Sequence, residues 1–385
     1  MSFELGLITL PNIEVLPVYS DDGITDRLYH RWTVILLVLL SVVVMLVNLV
    51  GDPIHCWCPA EFTDSHCNYT EALCWIQNTY FVPADQYLPN NVLEREELEI
   101  KYYQWVSIIL LFLALCFKTP NMFWKMLSGR GGINLEKMIC YCNSNQIGDK
   151  REECVRVVGR NLDRWLTTSK RAHYGLVHTV IEKASTCFCF CLGGRNGTYL
   201  AGLYLCVKFC YVFASIGILL LLNQLLAMEY TVFGVEMIHN FIKNKEMRES
   251  PLFPRVTLCD FQIRRLQNIQ RYTVQCVLAV NLYHEKIFAF LWLWLVIITL
   301  IGLYSYIIWI KKLMVPSGRT FFVQKYLHYV DRKFKDNHAK DKFLRDYVST
   351  DGVFVLRMLE YNTSERLVVD VVKVLWNSFG EGIMV

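Results

Sequence analysis

The sequence predicts an all-α, polytopic membrane protein with four transmembrane helices, disulfide-stapled extracellular loops and a helical cytosolic dome. Of its 385 residues, 54% are hydrophobic and only 19% are charged, and the apolar residues fall into long blocks. In lipid, backbone polar groups must be hydrogen-bonded within the segment, so apolar blocks of about 20 residues are expected to be helices. The 15 cysteines, several of them in the connecting loops, add the expectation of disulfides.

Four apolar blocks define the predicted spans. The first block, WTVILLVLLSVVVMLVNLV, is uncharged, and the second is short unless its aromatic flanks are counted. The third contains one charge, Lys208, and the fourth is uncharged and rich in tryptophan. The predicted spans are residues 32–50, 104–124, 199–227 and 287–310.

The charges of the intervening segments predict the orientation. Residues 51–103 contain 2 Lys/Arg and 9 Asp/Glu, whereas residues 118–198 contain 13 and 6, and residues 311–385 contain 13 and 9. Basic residues near span ends favour the cytosolic side. This rule places both termini in the cytosol, and it explains the basic loops without a nucleic-acid partner. The predicted segments are a cytosolic N-terminal segment (1–31), a first extracellular loop (51–103), a cytosolic loop (125–198), a second extracellular loop (228–286) and a cytosolic helical C-terminal region (311–385).

Six cysteines lie in the two predicted extracellular loops, where disulfides persist. They are Cys56, Cys58, Cys67, Cys74, Cys259 and Cys276. Six cysteines allow 15 connectivities, so their spacing alone does not pair them.

A CFCFC run, Cys187 to Cys191, precedes the third span. It suggests a metal site with Cys140 and Cys142, a membrane-proximal acylation cluster, or small apolar side chains near the membrane. Strict alternation with phenylalanine lacks the two-residue gap of a zinc knuckle, so no metal is predicted.

The N-x-[ST] sequon at Asn68 lies in the first extracellular loop. Of the three sequons in the chain, it alone is predicted to meet the glycosylation machinery, because the other two fall in predicted cytosolic segments.

The sequence favours no catalytic function and no cofactor. It contains no nucleotide-binding loop, no paired carboxylates of the catalytic kind, and no Asp, Glu or His within the spans. Lys208 has two interpretations: a charge on a pore wall, or a lysine whose stem reaches the inner interface or a neighbouring helix. We favour the second.

Several distinctive motifs occur once each along the chain. YYQW (Tyr102, Tyr103, Gln104, Trp105) introduces the second span as an aromatic belt at the outer interface, and Pro120 lies near the other end of that span. The remaining motifs are GDPIHCW and CWIQNTYFVP in the first extracellular loop, FPRVTLCDFQIRRLQNIQRYTVQCVLAVNLYHEKIFAFLWLW in the second, YLCVKFCY in the third span, and DGVFVLRMLEYN near the C-terminus.

Together these motifs resemble the innexins, the gap-junction channel proteins of invertebrates, over nearly the whole chain. The chain departs from the family at Gln267, where glycine is usual, at Lys118–Thr119, and in the additional cysteines Cys58 and Cys67. The resemblance implies a plasma-membrane channel subunit in a ring, eight subunits being expected, with itself or other innexins. Two rings of adjacent cells would dock through their extracellular loops and pass ions and small molecules.

The resemblance also implies site residues. Cys56 is expected to pair with Cys276 and Cys74 with Cys259, while Cys58 and Cys67 form a third bridge or stay free thiols. The N-terminal segment is expected to fold into the pore mouth. Independently of the resemblance, Pro120 is expected to kink or end the second helix near its cytosolic end, because proline interrupts the backbone hydrogen bonds of a helix; the kink would serve either as a gating hinge or for packing.

Two alternatives remain. A glycan on Asn68 would obstruct docking, so the protein could work as an undocked hemichannel that releases small metabolites. A four-span adhesion or scaffold protein is the alternative of another class.

Two local expectations complete the prediction. Residues 277–286 should form a stem, with His284, Glu285 and Lys286 at the outer water interface and the bilayer starting near Ile287. In the C-terminal region, Leu367, Val371, Val374 and Leu375 recur at helical spacing and should pack against the cytosolic loop.

Overall fold

The computed structural model describes residues 22–83, 86–145, 148–171, 197–225, 253–330 and 342–383, together with positions 234, 235, 239, 243 and 339. These residues form two compact units. The first, the sheet unit, is built from Thr25–Trp124 and Val207–Ile307. The second, the bundle unit, is built from the described parts of Lys125–Cys206 and Ile308–Val385.

The elements are numbered in chain order among the described residues. The helices are α1 (Ile24–Val50), α2 (Asp64–Gln77), α3 (Val92–Glu97), α4 (Val106–Ser128), α5 (Leu135–Ser144), α6 (Asp149–Arg171), α7 (Tyr199–Leu225), α8 (Ala279–Leu313), α9 (Pro316–Val330), α10 (Ser349–Asn362) and α11 (Glu365–Ile383). The strands are β1 (His55–Cys56), β2 (Thr79–Tyr80), β3 (Glu99–Ile100), β4 (Val256–Arg265) and β5 (Asn268–Val277).

Among the residues that the structure describes, four helices are long and apolar enough to cross a membrane, namely α1, α4, α7 and α8, and their number agrees with the four predicted spans. Helices α1 and α8 extend beyond their apolar blocks, because α1 begins at Ile24 rather than at residue 32 and α8 begins at Ala279 rather than at Ile287. Helix α4 runs through Pro120 to Ser128, so the expectation that this proline could end the helix is wrong. Composition marks only the apolar part of each helix, whereas hydrogen bonding within the helix continues past it.

Helix α1 packs on α8 through a widened, π-helical turn at Leu28–Thr33. Within this turn Tyr29 is buried, and its hydroxyl donates to the carbonyl of Ile298 at 2.6 Å. Gly302 makes room for the same side chain, because a Cβ at that position would lie 2.0 Å from the tyrosine oxygen. Such single π turns commonly serve to direct one side chain.

The sheet unit contains a five-stranded antiparallel sheet that the sequence analysis did not predict. Its strand order is β1-β5-β4-β2-β3, so strands of the first inter-helix loop (51–103) flank a hairpin of the second (228–286) on both sides. The hairpin strands β4 and β5 are rich in β-branched and aromatic residues, which favour strands. The short lengths of β1, β2 and β3 explain why no alternation in the first loop revealed them.

The bundle unit is helical. Helix α11 packs on α6: Leu367, Val371 and Leu375 are buried, and Val374 contacts α6 at Gly159. The predicted apolar face therefore packs against the segment that follows the second span, as expected. Helix α10 is buried all round from Val353 to Leu359, as expected of a helix at the centre of a bundle.

Candidate functional site

The two inter-helix loops are joined by disulfides, and the bonds are those that the sequence resemblance implies. Cys56 is bonded to Cys276, its direct partner in the β1–β5 register. Cys74 on α2 is bonded to Cys259 on β4. The sulfur atoms of Cys56, Cys74 and Cys276 lie within 4.8 Å of one another, so the two bonds form one compact cross-link beneath the sheet.

A third disulfide joins Cys58 and Cys67 within the first loop. It ties the segment after β1 to α2 over a sequence separation of 9, whereas the other two bonds span separations of 220 and 185. The extra cysteines therefore reinforce one loop and leave the cross-link between the loops unchanged.

Asp260 on β4 organises polar contacts from the first loop. Its carboxylate accepts hydrogen bonds from Arg95 on α3 at 2.7 Å and from the hydroxyl of Tyr80 on β2 at 2.9 Å. Burial and this hydrogen bond to the carboxylate raise the pKa of Tyr80 well above its usual value. This network was not predicted, because its three members lie far apart in the chain and Arg95 lies outside the motifs that contain Tyr80 and Asp260.

The YYQW motif forms the junction between α2 and the start of α4. Tyr103 is fully buried with its ring 4.9 Å from that of Trp75, and Gln104 donates a hydrogen bond to the carbonyl of Trp75. Tyr102 is buried against Phe253. The interpretation as an aromatic belt fits Trp105, which is 56% exposed, but the two tyrosines belong to the interior of the sheet unit.

The start of α8 is also interior, which corrects the prediction that His284 and Glu285 lie in water, whereas Lys286 is exposed, in line with that prediction. His284 and Glu285 are buried, and Glu285 pairs with Arg255 at 3.0 Å. Asn281 donates to the carbonyl of Pro254 at 2.8 Å and contacts the ring of His284. The helix extends to Ala279 because the second loop supplies partners for these polar side chains.

The β4–β5 hairpin presents its turn to solvent. Arg265 pairs with Asn268 across a two-residue turn, and Leu266 in that turn is 98% exposed with a positive φ of 52°. Ile269, the second residue of β5, is also exposed. Positive φ is uncommon for residues other than glycine, so the chain holds an apolar side chain outward at some conformational cost.

Lys208 on α7 is buried and points into the helices around it. Its ammonium lies 2.8 Å from the carboxylate of Asp26 on α1, and it also donates to Thr25 at 3.1 Å and to Ser305 on α8 at 3.0 Å. This geometry matches the interpretation in which the lysine reaches a neighbouring helix. A lone lysine in an apolar span needs a counter-charge, and Asp26, just ahead of the first apolar block, could have been inferred on that ground.

Two other predicted site residues, Pro120 and Asn68, lie apart from Lys208 and its partners. Pro120 is buried within α4, and Asn68 is exposed on α2 beside the bonded Cys67. Residues 1–21, which form most of the predicted pore segment, and the CFCFC run lie outside the described residues.

Comparison with known proteins agrees with this architecture. The innexin family model matches residues 21–379. The chain is 34% identical to innexin unc-9 of Caenorhabditis elegans over 370 residues, which cover 95% of this chain and 94% of that protein. It is 32% identical to innexin-19 of the same species, covering 96% of this chain and 86% of that protein, and 31% identical to innexin-3, covering 95% and 86%.

The match thus includes the four membrane helices, both halves of the disulfide-linked sheet and the bundle unit. The chain belongs to the innexin family.

Proposed function

We propose that the protein is a subunit of a gap-junction channel that passes ions and small molecules between adjacent cells. Family membership supports the class of channel. The observation that carries the docking step is the disulfide-linked sheet, in which a two-residue turn with the exposed Leu266 projects from strands fixed at their base by Cys259 and Cys276. Two surfaces that meet end to end need such a rigid, preorganised contact.

The finer assembly is proposed as follows. Eight subunits form a ring in one membrane, alone or with other innexins, and two rings dock through loops 51–103 and 228–286. Both termini lie in the cytosol, in accord with the basic segments 118–198 and 311–385. The N-terminal segment enters the pore mouth, and transport needs no catalytic step.

The hemichannel is retained as a second candidate because Asn68 is exposed on α2. A glycan there would extend from the same loop that supplies three strands of the sheet. The hydroxyl of Thr70, the third sequon residue, is buried and donates to the carbonyl of His66 at 2.9 Å, so we expect any glycan to be added before this helix folds.

Paired and single cells distinguish the candidates. We expect current between paired expressing cells and, with low external calcium, current across the membrane of single cells. If paired cells couple only after Asn68→Gln, the native protein is a hemichannel. If neither the wild type nor Asn68→Gln couples cells, the junction proposal fails, and absence of single-cell current as well favours an adhesion or scaffold protein.

The hairpin turn provides a sharper test of docking. Leu266→Asp changes an almost fully exposed side chain, so folding and surface delivery should be retained while junctional current is lost. Single-cell current and surface biotinylation are the controls. Images of purified particles give the ring number and show whether rings stack in pairs.

A further inference from the structure

A groove of about 610 Å³ lies between α5 and α6 in the bundle unit. Its volume is in the range of sites for small organic ligands. Helix α5 contributes Lys137 and Tyr141, and helix α6 contributes Asn161, Arg164 and Trp165. These residues recur at intervals of three or four along their helices, so each set lines one face.

One end of the groove is closed by the turn that follows α4. Trp165 donates its indole N–H to the carbonyl of Gly131 at 2.7 Å. Gly132 has φ of 79°, and a Cβ added there would lie 3.6 Å from the indole ring. The ring is therefore held in place by the backbone, and the groove keeps a defined shape.

The lining is positively charged. Lys137 and Arg164 are its charged members, both side chains are exposed, and no acidic residue is among the lining residues. Neither cation forms an ion pair with any part of the chain that the structure describes. Of the acids nearby, Glu136 pairs with Lys125 at 3.6 Å and Asp163 accepts a hydrogen bond from Tyr347, while Glu153 lies near Tyr141, away from the two cations on the lining.

The same groove provides flat and apolar surface. Tyr141 and Trp165 supply rings, and Met138 and Val158 supply aliphatic contact beneath them. Arginine and lysine beside planar rings suit a ligand that combines an anionic oxygen group with a ring or an apolar portion.

We propose that this groove binds a phosphorylated small ligand, with its phosphate at Lys137 and Arg164 and its ring or apolar portion against Trp165 and Tyr141. A free nucleotide and the headgroup of an inositol phospholipid share this chemistry. The ligand would contact the turn directly after membrane helix α4, a position suited to an effector. The proposal does not depend on whether rings dock.

Titration of the full chain in phosphatidylcholine nanodiscs tests the site. The soluble probes are adenosine monophosphate and inorganic phosphate. The lipid probe is phosphatidylinositol 4-phosphate, included in the nanodiscs that hold the protein. We expect Lys137→Gln/Arg164→Gln to weaken binding of the phosphate-bearing probe by about tenfold or more, because two charge-assisted hydrogen bonds are lost. The control Arg366→Gln/Lys373→Gln removes the same charge from α11, which contributes no residue to the lining, and should change binding by less than about twofold, since exposed charges away from the site are screened.

A second variant tests the rings without changing charge. Tyr141→Leu should weaken binding of adenosine monophosphate by about fivefold or more through lost stacking and leave inorganic phosphate unaffected. Binding of adenosine monophosphate identifies a free ligand, whereas binding only in phosphoinositide nanodiscs identifies a lipid headgroup. The proposal is overturned if neither adenosine monophosphate nor phosphatidylinositol 4-phosphate binds, or if both double variants weaken binding equally.

Discussion

The ammonium of Lys208 and the carboxylate of Asp26 lie 2.8 Å apart, with side chains only 3% and 6% exposed. The ammonium also donates hydrogen bonds to Thr25 and Ser305. The contact therefore joins the start of α1 to α7 and α8. Asp26 itself belongs to the proposed pore segment (1–31), so the pair anchors the end of that segment that lies in α1.

Removal of the lysine alone should destabilise the protein. Lys208→Met removes the charge that lies 2.8 Å from the buried carboxylate of Asp26, and breaking a buried pair in this way costs about 3–5 kcal/mol. The double variant Asp26→Asn/Lys208→Met removes both charges and should recover most of the loss. Thermal unfolding of the purified protein measures both effects.

The exposed Lys311 at the end of α8 supplies the matched control, because Lys311→Met changes the same residue type without breaking a buried pair. Equal unfolding temperatures for Lys208→Met and the wild type would contradict the ion-pair account.

The three disulfides should differ in importance. In the loop-closure description, the bond between Cys58 and Cys67 contributes roughly 3 kcal/mol, against roughly 4 kcal/mol for Cys74–Cys259, because Cys56–Cys276 already shortens the loop that this bond closes. We expect Cys58→Ser/Cys67→Ser to reach the cell surface and conduct, and Cys74→Ser/Cys259→Ser to be retained inside the cell. Surface biotinylation measures the delivery of each variant, and single-cell current measures its conduction. Equal surface levels of the two variants would refute this ranking.

Stability should depend on pH through Asp351. Its carboxylate is buried and accepts the N–H of Ala201 at 2.9 Å at the start of α7, and burial raises its pKa to about 6. The folded protein then binds a proton at a pH where the unfolded chain is still ionised, so this group's contribution to stability rises as pH falls through about 6. The gain between pH 7 and pH 5 is about 1.4 kcal/mol.

Asp351→Asn should lack this gain. The measured quantity is the difference in unfolding temperature between the wild type and Asp351→Asn at each pH, in which titrations common to both proteins cancel. The unfolding temperature of the wild type should rise relative to that of the variant when the pH is lowered from 7 to 5. A difference that does not change with pH would exclude the proposed titration.

Helix α6 lies close to α11 at Gly159. A Cβ at this position would lie 2.7 Å from Cγ1 of Val374, so Gly159→Ala should destabilise the bundle unit by about 1–3 kcal/mol. Val374→Ala should relieve the clash in the double variant. Gly380→Ala on α11 has nothing within 4 Å and should instead raise stability slightly. Thermal unfolding of the four proteins provides the test, and a neutral Gly159→Ala would show that the helices separate freely.

The sequence by itself determined the membrane class and much of the site. Long uncharged blocks require helices, because lipid offers no partners for backbone polar groups. The apolar spacing at Leu367, Val371 and Leu375 predicted a packed face because helical periodicity is local. The family resemblance implied which cysteines pair, and the structure has those pairs.

Only the tertiary structure decided which polar residues are buried and with whom. The five-stranded sheet was not predicted from the sequence. Its first-loop strands are two residues long and acquire their hydrogen bonds only beside β4 and β5. His284 and Glu285 resembled water-facing residues because their partners lie on another segment. Lys208 required a counter-charge on physical grounds, but its position beside Asp26 followed from helix packing between residues 182 apart in sequence.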